Sequence, residues 1–392
     1  MTTSMKTAVL PPPRSAARGL GSAARRRMLW QVLGAAIVLL LVLASGTVLR
    51  QNLDRLGLSL GFDFLNRPAG FEIGVSLLPY APTNSIAYAI AVGALNTVLL
   101  VLIAGICATV LGVTVGLLRR SVNPLVRGLT LSYVELMRNT PLLMQILLWS
   151  ALLLKLPPPA KALQWGGLIF SQRGIYYPTL HVAPGQAGAL LGWLIAAALA
   201  GALVTFVLRK TGRGVLIPLL AGLIAFGLTM FASSRLGGLF DISVPIRRGF
   251  NFQGGASLSP EFAAMLIALT LYFGAFIAEI VRSGVDSVAR GQWEASRALG
   301  LSDMSVMQAV VFPQALRIMV PALIAQYVSL IKNSSLAIAI GYPDLFWAIF
   351  TTINITGHAI EGVLLLAGTY LLLTAGASSA LNLWYAHLRR KG

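Results

Sequence analysis

From residue 85 to residue 118 the chain runs for 34 residues without a charged side chain. As a helix that stretch is about 50 Å long, more than the roughly 30 Å of a bilayer's hydrocarbon core. A second uncharged run, residues 28–49, is 22 residues long. Such runs have no place on the surface of a water-soluble domain, and the composition leaves too few polar residues to cover one. Charged residues make up 11% of the chain, against about 25% in ordinary soluble domains. Disordered chains are poor in apolar residues, whereas 57% of this one is hydrophobic, so disorder is excluded as well. What remains is a protein that crosses a membrane many times.

The runs define an all-α polytopic fold with about eight spans. Residues 28–49 follow Arg25-Arg26-Arg27. Their apolar length exceeds the roughly 7–15 residues of a signal-peptide core, so they read as a retained first span. Residues 1–27 form a basic tail containing Pro11-Pro12-Pro13. Residues 85–118 form one long helix ending at Arg119-Arg120. Residues 129–154 begin as an interfacial amphipathic helix carrying Glu135 and Arg138 and continue from Pro141 as a span. Residues 187–208 and 214–234 form a close pair, followed by spans at 262–278, 318–341 and 362–388.

Eight spans place both termini on one side. The 30 Lys and Arg residues divide 20 to 10 between the two sides, in favour of the side holding the termini. The basic-inside rule therefore makes the termini cytoplasmic. Topology thus explains the formal charge of +18, and nucleic acid is not needed as a partner. The single cysteine, Cys107, cannot form an internal disulfide and reads as a small buried apolar residue. His181, His358 and His387 have no metal-ligand spacing, so no metal site is expected. There is no Gly-Lys pair and hence no P-loop, so the chain cannot be its own ATPase. No Ser/His/Asp set stands out, which argues against a membrane enzyme.

One cytoplasmic connection, residues 283–313, is long where the other inner loops are short. Within it, Gln292 to Leu299 are helix formers, Gly300 is a natural C′ residue and Ser302 a natural N-cap. The pattern predicts a short helix, a glycine turn and a second helix running to Pro313, with Trp293 and Leu299 as apolar anchors. Two uses fit it: a rigid helix docking in a groove of a cytoplasmic partner, or an amphipathic connector lying on the bilayer.

Glu294-Ala295-Ser296, then Gly300, nine residues, and Val310-Val311-Phe312-Pro313 resemble the EAA loop of ABC-importer permeases. Ser296 replaces a family alanine, and Val310 and Phe312 replace Ile and Leu. The resemblance implies that Gly291, Glu294, Ala295, Ser296, Gly300 and Pro313 couple the chain to a cytoplasmic ATPase dimer, which binds ATP and Mg; this chain holds no cofactor. Arg138-Asn139-Thr140-Pro141-Leu142-Leu143, Pro313-Gln314-Ala315-Leu316-Arg317 and Lys332-Asn333-Ser334-Ser335-Leu336 are similar to segments of polar amino acid permeases, with Asn139 where glycine is usual. The full length, together with Gly341-Tyr342-Pro343-Asp344-Leu345, is similar to the first permease subunit of general L-amino acid importers. That likeness implies a five-helix core in two parts, 85–156 and 258–392. The first span and external loop (28–84) and an insert with two further spans (157–257) are additions to it. It also implies a bacterial inner membrane, a second homologous permease chain and a periplasmic amino-acid-binding protein.

Polar groups inside spans are costly and therefore candidates for the substrate path. These are Asn139, Thr140 and Gln145 around Pro141, and Gln326, Lys332, Asn333, Ser334 and Ser335 in the seventh span. Lys332 would hold a substrate carboxylate, or else reach the outer interface. Asn96 and Thr97 read mainly as hydrogen-bonding glue between helices. Glu279 and Arg282, three residues apart on one helix face, read as a gating or structural pair. The competing function is a self-sufficient secondary transporter or channel. It needs embedded carboxylates for ion coupling, and Glu279 is the one strong candidate.

Overall fold

The computed structural model describes residues 22–55, 61–182, 187–209, 221–229, 231, 240–249 and 251–391. The tail up to residue 21 and most of the expected span 214–234 lie outside the described residues. The chain divides into two units, residues 1–62 and 63–392. The first contains α1 (Ser22–Arg55), whose apolar stretch Met28–Val48 is long enough to cross a membrane.

In the second unit, α2 (Ile86–Leu118) starts where the Ser85 hydroxyl accepts the Tyr88 N–H. It is followed by α3 (Pro124–Asn139), capped by Asn123, and α4 (Leu142–Leu154). Thr140 is extended between them, as expected of a residue preceding proline. An interfacial helix broken before a more apolar one is what the sequence predicts here. However, α4 has only 13 residues, about 20 Å, too short to cross alone.

The insert departs from an all-α expectation. Around α5 (Ala187–Arg209) and the helical stretch α6 (221–229) it carries eight short strands. Strands β1 (Leu163–Trp165), β2 (Leu168–Ser171), β3 (Gly174–Tyr177), β4 (Thr179–Val182), β5 (Phe240–Ser243), β6 (Ile246–Arg248), β7 (Asn251–Gln253) and β8 (Ala256–Leu258) are all antiparallel where paired. The sheet order is β1-β2-β3-β8, with β4 on β5 and β6 on β7. Ile175 opposes Leu258, and Thr179 opposes Ser243. The segments before and after the helical pair therefore zip together, and the chain leaves and returns at one place. Tyr, Phe and Ile favour such pleated surfaces. Gly174 (φ +134°) sits so close to the Leu258 carbonyl that a Cβ would approach it to 2.4 Å.

From β8 the chain enters α7 (Pro260–Asp286), capped by Ser259. Then come α8 (Arg290–Ala298), α9 (Asp303–Val306), a π-helical turn Met307–Val311 and α10 (Phe312–Asn333). The expected stop at Pro313 is absent, because the π turn absorbs the missing proline N–H and the helix runs on. A 3₁₀ segment, Ser334–Ile340, ends at left-handed Gly341. α11 (Leu345–Thr356), a short apolar helix that the run-by-run reading did not separate, and α12 (Ala359–Lys391) complete the chain. Among the described residues five helices are long and apolar enough to cross a membrane, with shorter apolar helices beside them.

The core forms where α2 meets α7. Leu100, Ala104 and Ala108 pack with Met265, Leu269, Phe273 and Ile277, all buried. A Cβ on Gly112 would lie 2.6 Å from Ile277, and one on Gly116 would lie 2.7 Å from the Ala278 carbonyl. These two glycines, four apart on one face, let the helix backbones approach closely. Cys107 corrects the sequence reading: it is exposed, on the α2 surface shared by Leu102, Ile106 and Val110. α2 is apolar on every side, so hydropathy does not mark its packed face; the cues are its small and polar residues, Asn96, Thr97, Gly112 and Gly116.

Candidate functional site

The EAA-like loop is a preformed surface element. α8 closes with the Gly300 N–H donating to the Arg297 carbonyl (2.9 Å) and the Leu301 N–H donating to the Ser296 carbonyl (3.3 Å). Gly300 has φ +77°, which glycine adopts freely. Arg297 grips Asp303 across the turn at 3.0 Å, and the Ser302 hydroxyl accepts the Ser305 N–H.

The inner face of α8 rests on the bundle. Ser296 is buried and donates to the Gln292 carbonyl at 2.6 Å. Trp293 lies under the Arg120 guanidinium, 5.0 Å from its ring centre. The Gln314 amide donates to the Gln292 side chain at 3.2 Å. Gly291, Glu294 and Ala295 are exposed on the outer side, and Pro313 is exposed nearby. Of the two expected anchors, Trp293 packs inward. Leu299 is 81% exposed and, with Met304, leaves an apolar knob at the tip.

Behind this loop, Glu279 is held by more than its expected partner. Arg282 reaches it at 2.5 Å, Arg119 bonds its other oxygen, and Arg138 stands 3.8 Å away. Asp286 takes Arg282 at 2.7 Å and Arg120 at 3.4 Å. Arg119 and Arg120 end α2, and Arg138 lies in the last turn of α3. The carboxylates are both on α7, so three helix ends are pinned together. Three cations share two carboxylates at close range and Arg138 adds a fourth charge, which offsets the cost of desolvating Glu279. The sequence reading found the pair Glu279–Arg282 but used Arg119, Arg120 and Arg138 only for topology. The available signal was that all of these charges fall at predicted helix ends on one side.

The expected substrate-path residues are not gathered into one cluster. The Gln145 amide donates to the Met137 and Thr140 carbonyls at 3.0 and 3.2 Å, satisfying the broken end of α3. Thr140 donates to Leu136, and Asn139 is exposed. Asn333, Ser334 and Ser335 each donate to a carbonyl of their own helix. Lys332 is exposed and Gln326 half-buried. Asn96 and Thr97 act as the glue that was expected. Asn96 donates to the Val75 and Pro343 carbonyls at 2.8 and 2.9 Å, and Thr97 accepts the Leu345 N–H at 3.0 Å. Tyr342, fully buried, donates to the Asn96 carbonyl. No group of three metal-ligating side chains occurs among the described residues.

Residues 108–391 match the protein family described as the binding-protein-dependent transport system inner membrane component. The chain is 39% identical over 368 residues to the putative amino-acid ABC transporter permease protein YhdX of Escherichia coli (strain K12), covering 92% of this chain and 93% of that one. It is 39% identical over 345 residues to the general L-amino acid transport system permease protein AapQ of Rhizobium johnstonii, covering 85% and 84%. It is 36% identical over 394 residues to the glutamate/glutamine/aspartate/asparagine transport system permease protein BztB of Rhodobacter capsulatus, covering 91% and 92%.

Proposed function

The chain belongs to the family of binding-protein-dependent transport system inner membrane components, as a permease of ABC importers, and from that premise we propose that it carries amino acids and is driven through α8. In this reading it sits in a bacterial inner membrane with both termini cytoplasmic. It forms half of the path beside a second, homologous permease chain. A separate ATPase dimer binds ATP and Mg, and a periplasmic binding protein delivers the cargo.

The observation that carries the coupling role is the two-sided build of α8. Its inner face is fastened to the ends of α2 and α10 through Arg120–Trp293 and Gln292–Gln314. Its outer face presents Glu294, Ala295 and the Leu299 knob to the aqueous side. A helix fastened on one side and free on the other transmits a push from a docked partner as a rigid body. The first residues it would move are Arg120 and, through Asp286 and Arg282, the Glu279 cluster. From there α3 and the break at Pro141 are one contact away, through Arg138. Pro141 and the interior Pro321 of α10 supply weak points at which helices bend.

Glu294→Lys tests this. Reversing an exposed charge leaves the α8 packing intact, so membrane level stays normal while ATPase association and uptake fall together. Normal association and uptake in that variant would overturn the coupling role. Ion-gradient-driven uptake by vesicles holding this chain alone, without ATP, would overturn the subunit reading itself.

A further inference from the structure

α7, 27 residues long, ends at the α8 side with Asp286 and starts at Pro260, about 40 Å away along the helix. At that far end a cavity of about 550 Å³ opens, within the roughly 300–1,000 Å³ of small-molecule sites. Its three charged wall residues come from three separate parts of the chain. Glu72 comes from the stretch before α2, Arg173 from the β2–β3 turn, and Glu261 from the first turn of α7. Tyr176 and Trp347 add aromatic surface, and Pro343 belongs to the turn tied to Asn96.

None of the three charged residues has an ion-pair partner among the described residues. At the other end of α7, by contrast, Glu279 and Asp286 are both taken up by arginines. Here two carboxylates and one guanidinium surround an open volume and leave their charges to whatever enters it. The wall is built firmly: β3 pairs with β8, β8 leads directly into α7, and Gly174 lets the turn carrying Arg173 lie against Leu258.

We propose that this cavity is an outer vestibule site for a free α-amino acid, with Arg173 taking the α-carboxylate and Glu72 or Glu261 the α-ammonium. This rests on the amino acid reading above and adds a place and a selectivity to it. The guanidinium fork matches a carboxylate in a way a lysine would not, and a carboxylate opposite it matches the ammonium. Once a zwitterion has used Arg173 and one glutamate, one negative charge is left over. The vestibule therefore prefers neutral polar or cationic side chains and disfavours acidic ones, because the remaining glutamate repels a second carboxylate. Trp347 and Tyr176 cover the aliphatic part of the side chain. The insert, whose β2–β3 turn, β3 and β7 supply one wall, acquires a role: it holds Arg173 at the mouth.

The test uses the full chain co-purified with its partner subunits in lipid nanodiscs, with L-glutamine, L-arginine and L-glutamate as probes. Binding is measured by titration calorimetry, and ATP-dependent uptake in proteoliposomes. Arg173→Ala should weaken L-glutamine binding roughly tenfold, the loss of one charge-assisted contact. The double variant Glu72→Gln/Glu261→Gln should move the preference toward L-glutamate by a similar factor. All three positions are at least partly exposed, and unchanged thermal midpoints would show that the fold is kept. Wild-type affinities in both variants, with uptake intact, would overturn the vestibule and leave the import reading standing. So would a defect confined to stimulation by the binding protein, with free amino acid binding unchanged, since that marks a protein-docking socket. A wild-type complex that imports none of the three amino acids would overturn both readings.

Discussion

The guanidinium of Arg120 lies 5.0 Å above the ring of Trp293 and joins the end of α2 to the face of α8 that looks inward. The same side chain reaches Asp286 at 3.4 Å, so one residue ties the loop to the charge cluster behind it. Arg120→Ala removes both contacts. A stacked pair of this exposure is worth about 0.5–1 kcal/mol, so the protein should still fold and reach the membrane. Uptake should fall several-fold while ATP hydrolysis by the assembled complex persists. Arg120→Lys, which keeps the charge without the planar stack, should restore uptake only in part. The ratio of uptake to hydrolysis is the measurement.

Glu279 gathers Arg119, Arg138 and Arg282. Glu279→Gln leaves three cations facing one another with the compensating charge removed. Removing one partner of a fully buried pair costs roughly 3–5 kcal/mol. Glu279 keeps about a quarter of its surface, 26%, so a loss of about 1–3 kcal/mol is expected. It should appear as a lower thermal midpoint in detergent and reduced membrane level. Adding Arg119→Gln should recover part of the loss, because Arg119, 12% exposed and ion-paired only with Glu279 among the described residues, is then the least compensated cation, whereas Arg138 is 41% exposed and stacked on Phe276.

Gly112 faces the Ile277 Cβ and the Gly274 carbonyl within 3 Å of where its own Cβ would be. Gly112→Leu forces α2 off α7 along a buried seam of the core. Overpacking costs about 1–3 kcal/mol where a core can relax and more where backbone is in the way. Here the carbonyl is in the way, so the variant should not accumulate in the membrane. Gly128→Ala, at a position with open space around it, should accumulate normally and serves as the control.

Asn96→Leu leaves the Val75 and Pro343 carbonyls without their donor. Each lost buried partner costs about 1–3 kcal/mol. The turn at Pro343 should loosen, which hydrogen exchange of Leu345 and its neighbours would report as faster opening. Val75 and Pro343 both line the vestibule, so amino acid affinity should fall in the same variant even though Asn96 does not line it.

Much of this molecule was legible without its structure because the deciding forces were local. A charge-free run has one solution in a membrane. The break at Thr140-Pro141, the short helix ending at Gly300 and the cap at Ser302 follow from the conformational limits of individual residues and their neighbours. The spacing from Glu294 through Gly300 to Pro313 carried the family resemblance by itself. What the sequence could not decide was which surfaces meet. α2 is apolar all round, so hydropathy does not separate an inward Gly112 from an outward Cys107, and the glycine spacing marks a packing face without naming its partner. Glu279 lies 160 residues from Arg119, and Asn96 lies 247 from Pro343. Such pairings depend on how close the helix backbones come, which the glycines permit but do not specify. The vestibule depends on the same kind of fact, since Glu72, Arg173 and Glu261 share a cavity only after β3 has paired with β8 and the insert has folded back on the start of α7. Local chemistry chose the elements, and packing across long stretches of chain chose the neighbours.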